Sequence, residues 1–161
     1  SGDSARMEQA FVDLKAKYSG TAQAAQAGLT LAKALLDNGN PDGAKEALSW
    51  VSEKSSDDGL KALAKLRLSS VLMDQKSYDE ALKLVSSASP PEFEAVYADR
   101  KGDILVLQDK RTEAIAEYTR AHKSFEEGLE YRRLVEIKLN ALGAAPVGLA
   151  VTVADAGGGV K

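Results

Sequence analysis

Residues 66–85, LRLSSVLMDQKSYDEALKLV, decide the fold of this chain. Apolar residues recur at three- and four-residue spacing on both sides of the polar run 74–76, which predicts two amphipathic helices joined by a tight turn. Ser77 and Glu80 stand three residues apart where the second helix begins, the spacing of a capping box. The small Ala81 on the inward face would let the two helices approach closely. This pattern is typical of one helical-repeat unit.

The same pattern occurs twice more, as LAKALLDNGNPDGAKEAL at 31–48 and KGDILVLQDKRTEAIAEY at 101–118. The small residues that align are Ala44, Ala81 and Ala114 in the second helices and Ala32, Ser69 and Gly102 in the first. The alanines are separated by 37 and 33 residues, close to the period of about 34 residues in tetratricopeptide repeats. Most of the signature aromatic residues are missing, so the pattern predicts a tetratricopeptide repeat (TPR)-like fold and says little about function.

We therefore predict an all-α, TPR-like α-α superhelix of about eight helices with a disordered C-terminal tail. Residues 1–4 are expected to be disordered or a remnant of expression, 5–143 to form the repeat domain with a C-terminal capping helix, and 144–161 to be a flexible tail. Apolar and small residues alternate from Val147 to Val153, which would also suit a strand paired with another molecule.

Two side chains and one helix face receive a specific interpretation. The eighth helix is predicted over about residues 127–142 as the solubilising cap of the array. Its predicted inward residues are Leu129, Leu134, Ile137, Leu142 and the stem of Lys138. Trp50 is interpreted as a packing residue and His122 as a solvated cation near the end of helix seven.

Composition argues against several classes of function. The chain has 21 basic and 24 acidic residues and a formal net charge of −3, which gives no electrostatic basis for nucleic-acid binding. It has no cysteine and a single histidine, so neither a histidine triad nor a thiolate or multi-histidine metal site can be assembled. No phosphate-binding glycine motif is present. We predict that the protein is not an enzyme and has no catalytic, cofactor-binding or metal-binding residues.

A binding role remains, because stacked helix pairs create a concave groove lined by the first helix of each pair. Transferring the lining positions through the aligned small residues gives Leu29, Lys33, Leu36, Leu66, Ser70, Met73, Asp99, Asp103 and Val106. The apolar members could receive an apolar segment of a partner, with the charged members setting its orientation, or some of them could belong to the core. Of the lysine and asparagine positions with which chaperone-tail binders clamp a carboxylate, only Lys33 fits.

Four phrases resemble the periplasmic domain of the YfgM family, the ancillary subunit of the SecYEG translocon. They are DLKAKYSGTAQAAQAGLTLAKALLDNGN, LKALAKLRLSSVLMDQKSYDEAL, VYADRKGDILVLQDKRTEAIAEY and RRLVEIKLNAL, and the resemblance covers about residues 8–142. It implies a single-pass inner-membrane protein, anchored by a helix upstream of Ser1, with this domain in the periplasm. The implied partners are the SecYEG translocon and a PpiD-like periplasmic chaperone.

The expected function is therefore a non-enzymatic interaction domain that links the translocon to periplasmic chaperones receiving emerging polypeptides. The alternative is a soluble or lipoprotein-anchored TPR adaptor in another cell-envelope complex. A homodimer held together by the tail is kept as a further option.

Overall fold

The computed structural model describes residues 2–126 and 128–144, and in this part the chain is built from eight α-helices. They are α1 Gly2–Tyr18, α2 Ala22–Asp37, α3 Pro41–Lys54, α4 Asp58–Asp74, α5 Tyr78–Ser86, α6 Glu94–Leu107, α7 Arg111–Ser124 and α8 Glu130–Ala141, with a 3-10 turn at Pro91–Phe93 before α6. The all-α, TPR-like prediction is confirmed. The predicted tail, apart from Ala144, lies outside the described residues.

Helices pack in the order of the chain, and α2/α3, α4/α5 and α6/α7 form three repeat units. Helix α4 also contacts α2 and α6, so the first helices of the units form one layer and the second helices another. Ala44, Ala81 and Ala114 are completely buried, as the aligned pattern predicted. Ser69 and Gly102 are buried in the partner helices. The small residues therefore do mark the points where the helices of a unit touch.

A second regularity lies in the turns between the helices of each unit. Gly39, Lys76 and Asp109 have positive φ angles of 74°, 61° and 58°. Each stands five residues before the aligned alanine of its unit. A left-handed residue at this place allows the last carbonyl groups of a helix to be hydrogen-bonded before the chain turns. Only the first unit uses glycine, so Lys76 and Asp109 adopt a conformation that a Cβ atom makes costly.

Replacing Lys76 with glycine is expected to raise the free energy of unfolding by about 1 kcal/mol, because glycine has no Cβ to strain at positive φ. Urea denaturation followed by circular dichroism would measure the change. The matched control is Gly39→Lys, which should lose a similar amount, since no atom lies within 4 Å of a Cβ built there. A loss of stability in Lys76→Gly would show that the lysine side chain, and not the turn conformation, dominates at this position.

Side chains cap some of the helix starts and not others. Thr21 and Asp57 cap α2 and α4 by accepting from backbone N–H groups three residues on, at 3.2 and 2.8 Å. The predicted capping box at Ser77 is wrong, because its side chain makes no capping hydrogen bond. Helix α1 begins at Gly2, so helical backbone extends into the segment for which we expected disorder.

The predicted inward face of α8 is also wrong. Leu129, Leu134 and Ile137 are 45%, 52% and 62% exposed, whereas the fully buried residues of this helix are Val135 and Leu139. The helix also begins later than predicted, at Glu130. Two members of the predicted face do point inward: Leu142 packs against the core, and Lys138 binds acidic residues of α6.

Trp50 has the packing role that the sequence indicated. Its ring lies edge-on to that of Phe11 on α1, with centroids 5.2 Å apart and planes at 85°. This contact fastens α1 to the first repeat unit, because Phe11 itself is buried among the residues of α2 and α3.

Candidate functional site

The contacts of α6, the first helix of the third repeat unit, show which neighbour each side of such a helix faces. Gly102 lies against Tyr118 of α7, Arg100 donates a hydrogen bond to Ser70 of α4, and Asp103 binds Lys138 of α8. Since side chains turn by about 100° per residue, Arg100 and Leu107 lie on the side of α6 opposite Gly102 and α7. This side, with its counterparts on α2 and α4, is the concave surface of the array.

Between α2 and α4 the concave surface has a depression of about 350 Å³. It is lined by Ala32, Lys33, Leu36, Asp37, Leu48, Arg67 and Ser70. Three of the residues predicted from the sequence, Lys33, Leu36 and Ser70, are thus brought together. Leu36 is 42% exposed, and the Lys33 ammonium lies 2.7 Å from the Asp37 carboxylate in an exposed ion pair. The depression offers an apolar floor with charged groups at its rim.

The remaining predicted residues lie in different environments. Leu29 is 6% exposed and belongs to the core, and Leu66 and Met73 are half-buried against it. Val106 is 38% exposed at the end of α6. Of the predicted apolar residues, Leu36 and Val106 are therefore the most accessible to a partner. Whether any of them binds one stays a prediction.

Two arginines on the concave surface, Arg67 and Arg100, were not among the groove residues predicted from the sequence. Arg67 is exposed at the rim of the depression. Arg100 donates to the Ser70 hydroxyl and lies 3.9 Å from the Met73 sulfur. In the part of the chain that the structure describes, neither guanidinium forms an ion pair with a carboxylate. The signal was present in the sequence, because the two arginines are 33 residues apart, the spacing of the second and third repeat units.

Asp99 and Asp103 do not line an open groove, because α8 covers them. The Lys138 ammonium lies 2.7 Å from a carboxylate oxygen of each, and Tyr118 donates a 2.7 Å hydrogen bond to Asp103. Asp99 is only 3% exposed, and burial raises its pKa although the bond from Lys138 opposes this. Burial would lower the pKa of Lys138, but its hydrogen bonds to Asp103 and Asp99 outweigh burial and raise it. The cluster of Asp99, Asp103, Tyr118 and Lys138 attaches α8 to the third unit.

His122 is part of the same attachment and is not the solvated cation that we predicted. Its side chain is 13% exposed, and its Nε2 atom lies 2.9 Å from Glu136 of α8. The Arg132 Nε donates to the same nitrogen at 3.1 Å. The Arg111 guanidinium of α7 donates to the carbonyl of Leu142 at the end of α8. Polar contacts therefore hold α8 in addition to the apolar packing of Val135 and Leu139.

Two other kinds of site are not found among the described residues. No helix in 2–126 and 128–144 combines the length and apolar character needed to cross a membrane. In the same residues, histidines and carboxylates do not gather into a group of three or more that could hold a metal ion.

Comparison with known proteins places this geometry in a family. The family model described as tetratricopeptide repeat-like domain matches residues 1–144. The ancillary SecYEG translocon subunit of Neisseria gonorrhoeae (strain ATCC 700825 / FA 1090) is 33% identical over 129 residues, which is 80% of this chain and 62% of that relative. The chain thus spans less than two thirds of the length of the curated relative that it matches.

Proposed function

Since this chain belongs to the family of tetratricopeptide repeat-like domains, we propose that it is the protein-interaction domain of an ancillary subunit of the SecYEG translocon. The observation that carries this proposal is the 33% identity to such a subunit over 80% of the chain. The domain acts without catalysing a reaction. It faces the periplasm, next to an inner-membrane anchor outside this chain, and links the translocon to a PpiD-like chaperone that receives emerging polypeptides.

The concave surface is the contact that we propose for the partner. Stacked helical repeats present their binding surface on this side, and here it combines an apolar depression with unneutralised guanidinium groups. Leu36 offers apolar contact, while Arg67 can receive a carboxylate of the partner. The exposed pair Lys33–Asp37 adds little affinity, since exposed ion pairs contribute less than about 1 kcal/mol. Charges at such a rim mainly set the orientation and the rate of association.

The first test places a photocrosslinking residue at Ser70, in the depression, and at Lys83, exposed on α5 in the opposite layer. In the full-length, membrane-anchored protein, position 70 is expected to crosslink to SecYEG or to a PpiD-like chaperone, and position 83 is not. Crosslinks from position 83 alone would show that the partner contacts the convex side. If the wild-type protein does not co-purify with SecYEG from membranes, the translocon assignment is wrong.

A matched pair of charge reversals tests the role of the guanidinium. Arg67→Glu is expected to lower the recovery of the partner severalfold, because a carboxylate would repel the anionic group that the arginine receives. Lys83→Glu makes the same change of charge on the other layer and should leave recovery unchanged. Equal recovery by both variants would exclude Arg67 from the contact. Circular dichroism would confirm that both variants are folded.

A further inference from the structure

Helix α8 ends in the same way as the first helices of the three repeat units. Gly143 has a φ of 68° and stands 34 residues after Asp109, the left-handed residue of the third unit. In the turns after α2, α4, α6 and α8, the N–H group of the left-handed residue donates to the carbonyl group three residues back. The next N–H group donates to the carbonyl group five residues back, and all these bonds measure 2.8–3.0 Å. The second helices α3, α5 and α7 end instead in residues with ψ of 140°, 161° and 138°. Helix α8 therefore has the geometry of a first helix.

Successive first helices contact each other through equivalent positions. Arg100 of α6 donates a hydrogen bond to Ser70 of α4. Lys138 of α8 lies 2.7 Å from a carboxylate oxygen of Asp103 and of Asp99, both on α6. Ser70 and Asp103 are equivalent, because each stands 11 residues before the aligned alanine of its unit. This position, together with that of Asp99 four residues earlier, thus faces the next first helix along the array.

On α8 the same positions are exposed. Counted back from Gly143 as Asp103 and Asp99 are counted back from Asp109, they hold Ile137 and Arg133. Ile137 is 62% exposed, and Arg133 is exposed as well. The exposed Asn140 lies three residues after Ile137, on the same face of the helix. We name Arg133, Ile137 and Asn140 the α8 end face.

We propose that the α8 end face binds a helix of a partner protein, which presents a carboxylate to Arg133 and an apolar side chain to Ile137. This helix lies on α8 as α8 lies on α6, so the contact continues the stacking of first helices within the chain. The charges are reversed between the two contacts, because α6 offers carboxylates to Lys138 whereas α8 offers a guanidinium. Arg133 forms no ion pair with a carboxylate of the described ranges. Complementary charge therefore selects a helix with an acidic residue.

Charge also argues against a second copy of this chain as the occupant. Identical chains associate mostly about a two-fold axis, which brings the same patch of both copies together. Helix α8 has 12 residues and is about 18 Å long. Two α8 end faces in contact would therefore place both Arg133 guanidinium groups in one short interface. Like charges in such a contact are unfavourable.

A photocrosslinking residue at Asn140, in the full-length, membrane-anchored protein, tests the contact and leaves Arg133 and Ile137 in place. The crosslinked peptides are identified by mass spectrometry. They are expected to come from another protein, from a segment that is helical in its structure and carries Asp or Glu within one turn of the crosslinked residue. The control position is Thr112, exposed on α7 in the other layer, which should not crosslink to that helix. Crosslinks from position 140 to the same chain, to a second copy or to a non-helical segment would overturn the proposal, and so would their absence.

An exchange of charges tests the role of Arg133. Arg133→Glu should lower the yield of the position-140 crosslink severalfold, because two carboxylates would then face each other. Lys83→Glu makes the same change of charge on α5 and should leave the yield unchanged. Replacing the partner's carboxylate residue with lysine should restore the yield in the Arg133→Glu protein. An unchanged yield in Arg133→Glu, or no recovery after the exchange, would overturn the proposal.

This contact is separate from the one proposed for the concave surface. Co-purification of the wild-type protein with SecYEG tests the translocon assignment and does not involve the α8 end face. Crosslinks to a partner from position 70, with none from position 140, would overturn the end-face proposal alone. Circular dichroism of Arg133→Glu would confirm the fold, which an exposed side chain is not expected to disturb.

Discussion

Lys138→Met is expected to lower the free energy of unfolding by about 2–4 kcal/mol at pH 7. Removing one partner of a buried ion pair costs about 3–5 kcal/mol, and we take a somewhat smaller value because the Lys138 side chain is 32% exposed. Methionine keeps the length of the stem, so the change mainly removes the ammonium that lies between Asp99 and Asp103. Two carboxylates would then face each other with Asp99 almost inaccessible to water.

The loss in free energy of unfolding caused by Lys138→Met should become smaller as the pH falls. Burial already raises the pKa of Asp99 above its ordinary value of 3.8. Between 3.8 and the raised pKa, the folded state holds a proton that the unfolded state does not, so this group favours folding more as the pH falls. Without the ammonium the pKa should rise further, since the opposing charge and hydrogen bond are gone. The deficit of Lys138→Met is therefore expected to be smaller at pH 5 than at pH 7.

Urea denaturation of the wild-type protein and the variant at both pH values would measure this. The control is Lys33→Met, which breaks an ion pair whose side chains are 74% and 63% exposed and should cost less than about 1 kcal/mol. A Lys138→Met deficit as small as that of Lys33→Met would show that the cluster does not stabilise α8. A deficit that is the same at both pH values would contradict the assignment of the effect to Asp99.

The repeat architecture could be predicted from the sequence because its determinants are local and recur. A buried alanine such as Ala81 and a turn residue such as Lys76 keep the same separation in every unit. The orientation of α8 could not be predicted in this way. This helix carries two apolar stripes, one with Val135 and Leu139 and one with Leu134 and Ile137. Periodicity cannot decide between them, because the contacts that distinguish them, with Asp99 and Asp103 of α6 and with the residues of α7, join parts of the chain that are distant in sequence.

The predicted groove lining includes one repeat position whose residues turn toward neighbouring helices. Leu29, Leu66 and Asp99 occupy the same place in their units, and all three pack against neighbouring helices or bind them. The next residue in each helix is turned by about 100°. It is at this next position that Arg67 and Arg100 reach the concave surface. Sequence alignment fixes the repeat but not the rotation of a helix within it, which packing determines.

Gly102→Ala is expected to lower the free energy of unfolding by about 1–3 kcal/mol, the usual cost of overpacking a close contact. A Cβ built on Gly102 would overlap the ring of Tyr118. The ring cannot easily move away, because Tyr118 is 3% exposed and its hydroxyl donates a 2.7 Å hydrogen bond to Asp103. This cost outweighs the gain in helix propensity of up to about 1 kcal/mol that alanine brings in place of glycine. Thermal and urea denaturation would measure the change.

Two comparisons isolate the contact with the ring. A Cβ at Gly59, in the first turn of α4, would lie 3.2 Å from a carboxylate oxygen of Asp57 and 4.0 Å from a ring carbon of Phe93. It overlaps no ring, so Gly59→Ala should be neutral or stabilising. In a Tyr118→Leu background the overlapping ring carbons are gone, so Gly102→Ala should cost less than it does in the wild-type protein. The difference is the coupling energy of the two residues, which for groups in contact is about 0.5–3 kcal/mol. If the two substitutions are additive, the close approach of α6 and α7 does not depend on Gly102.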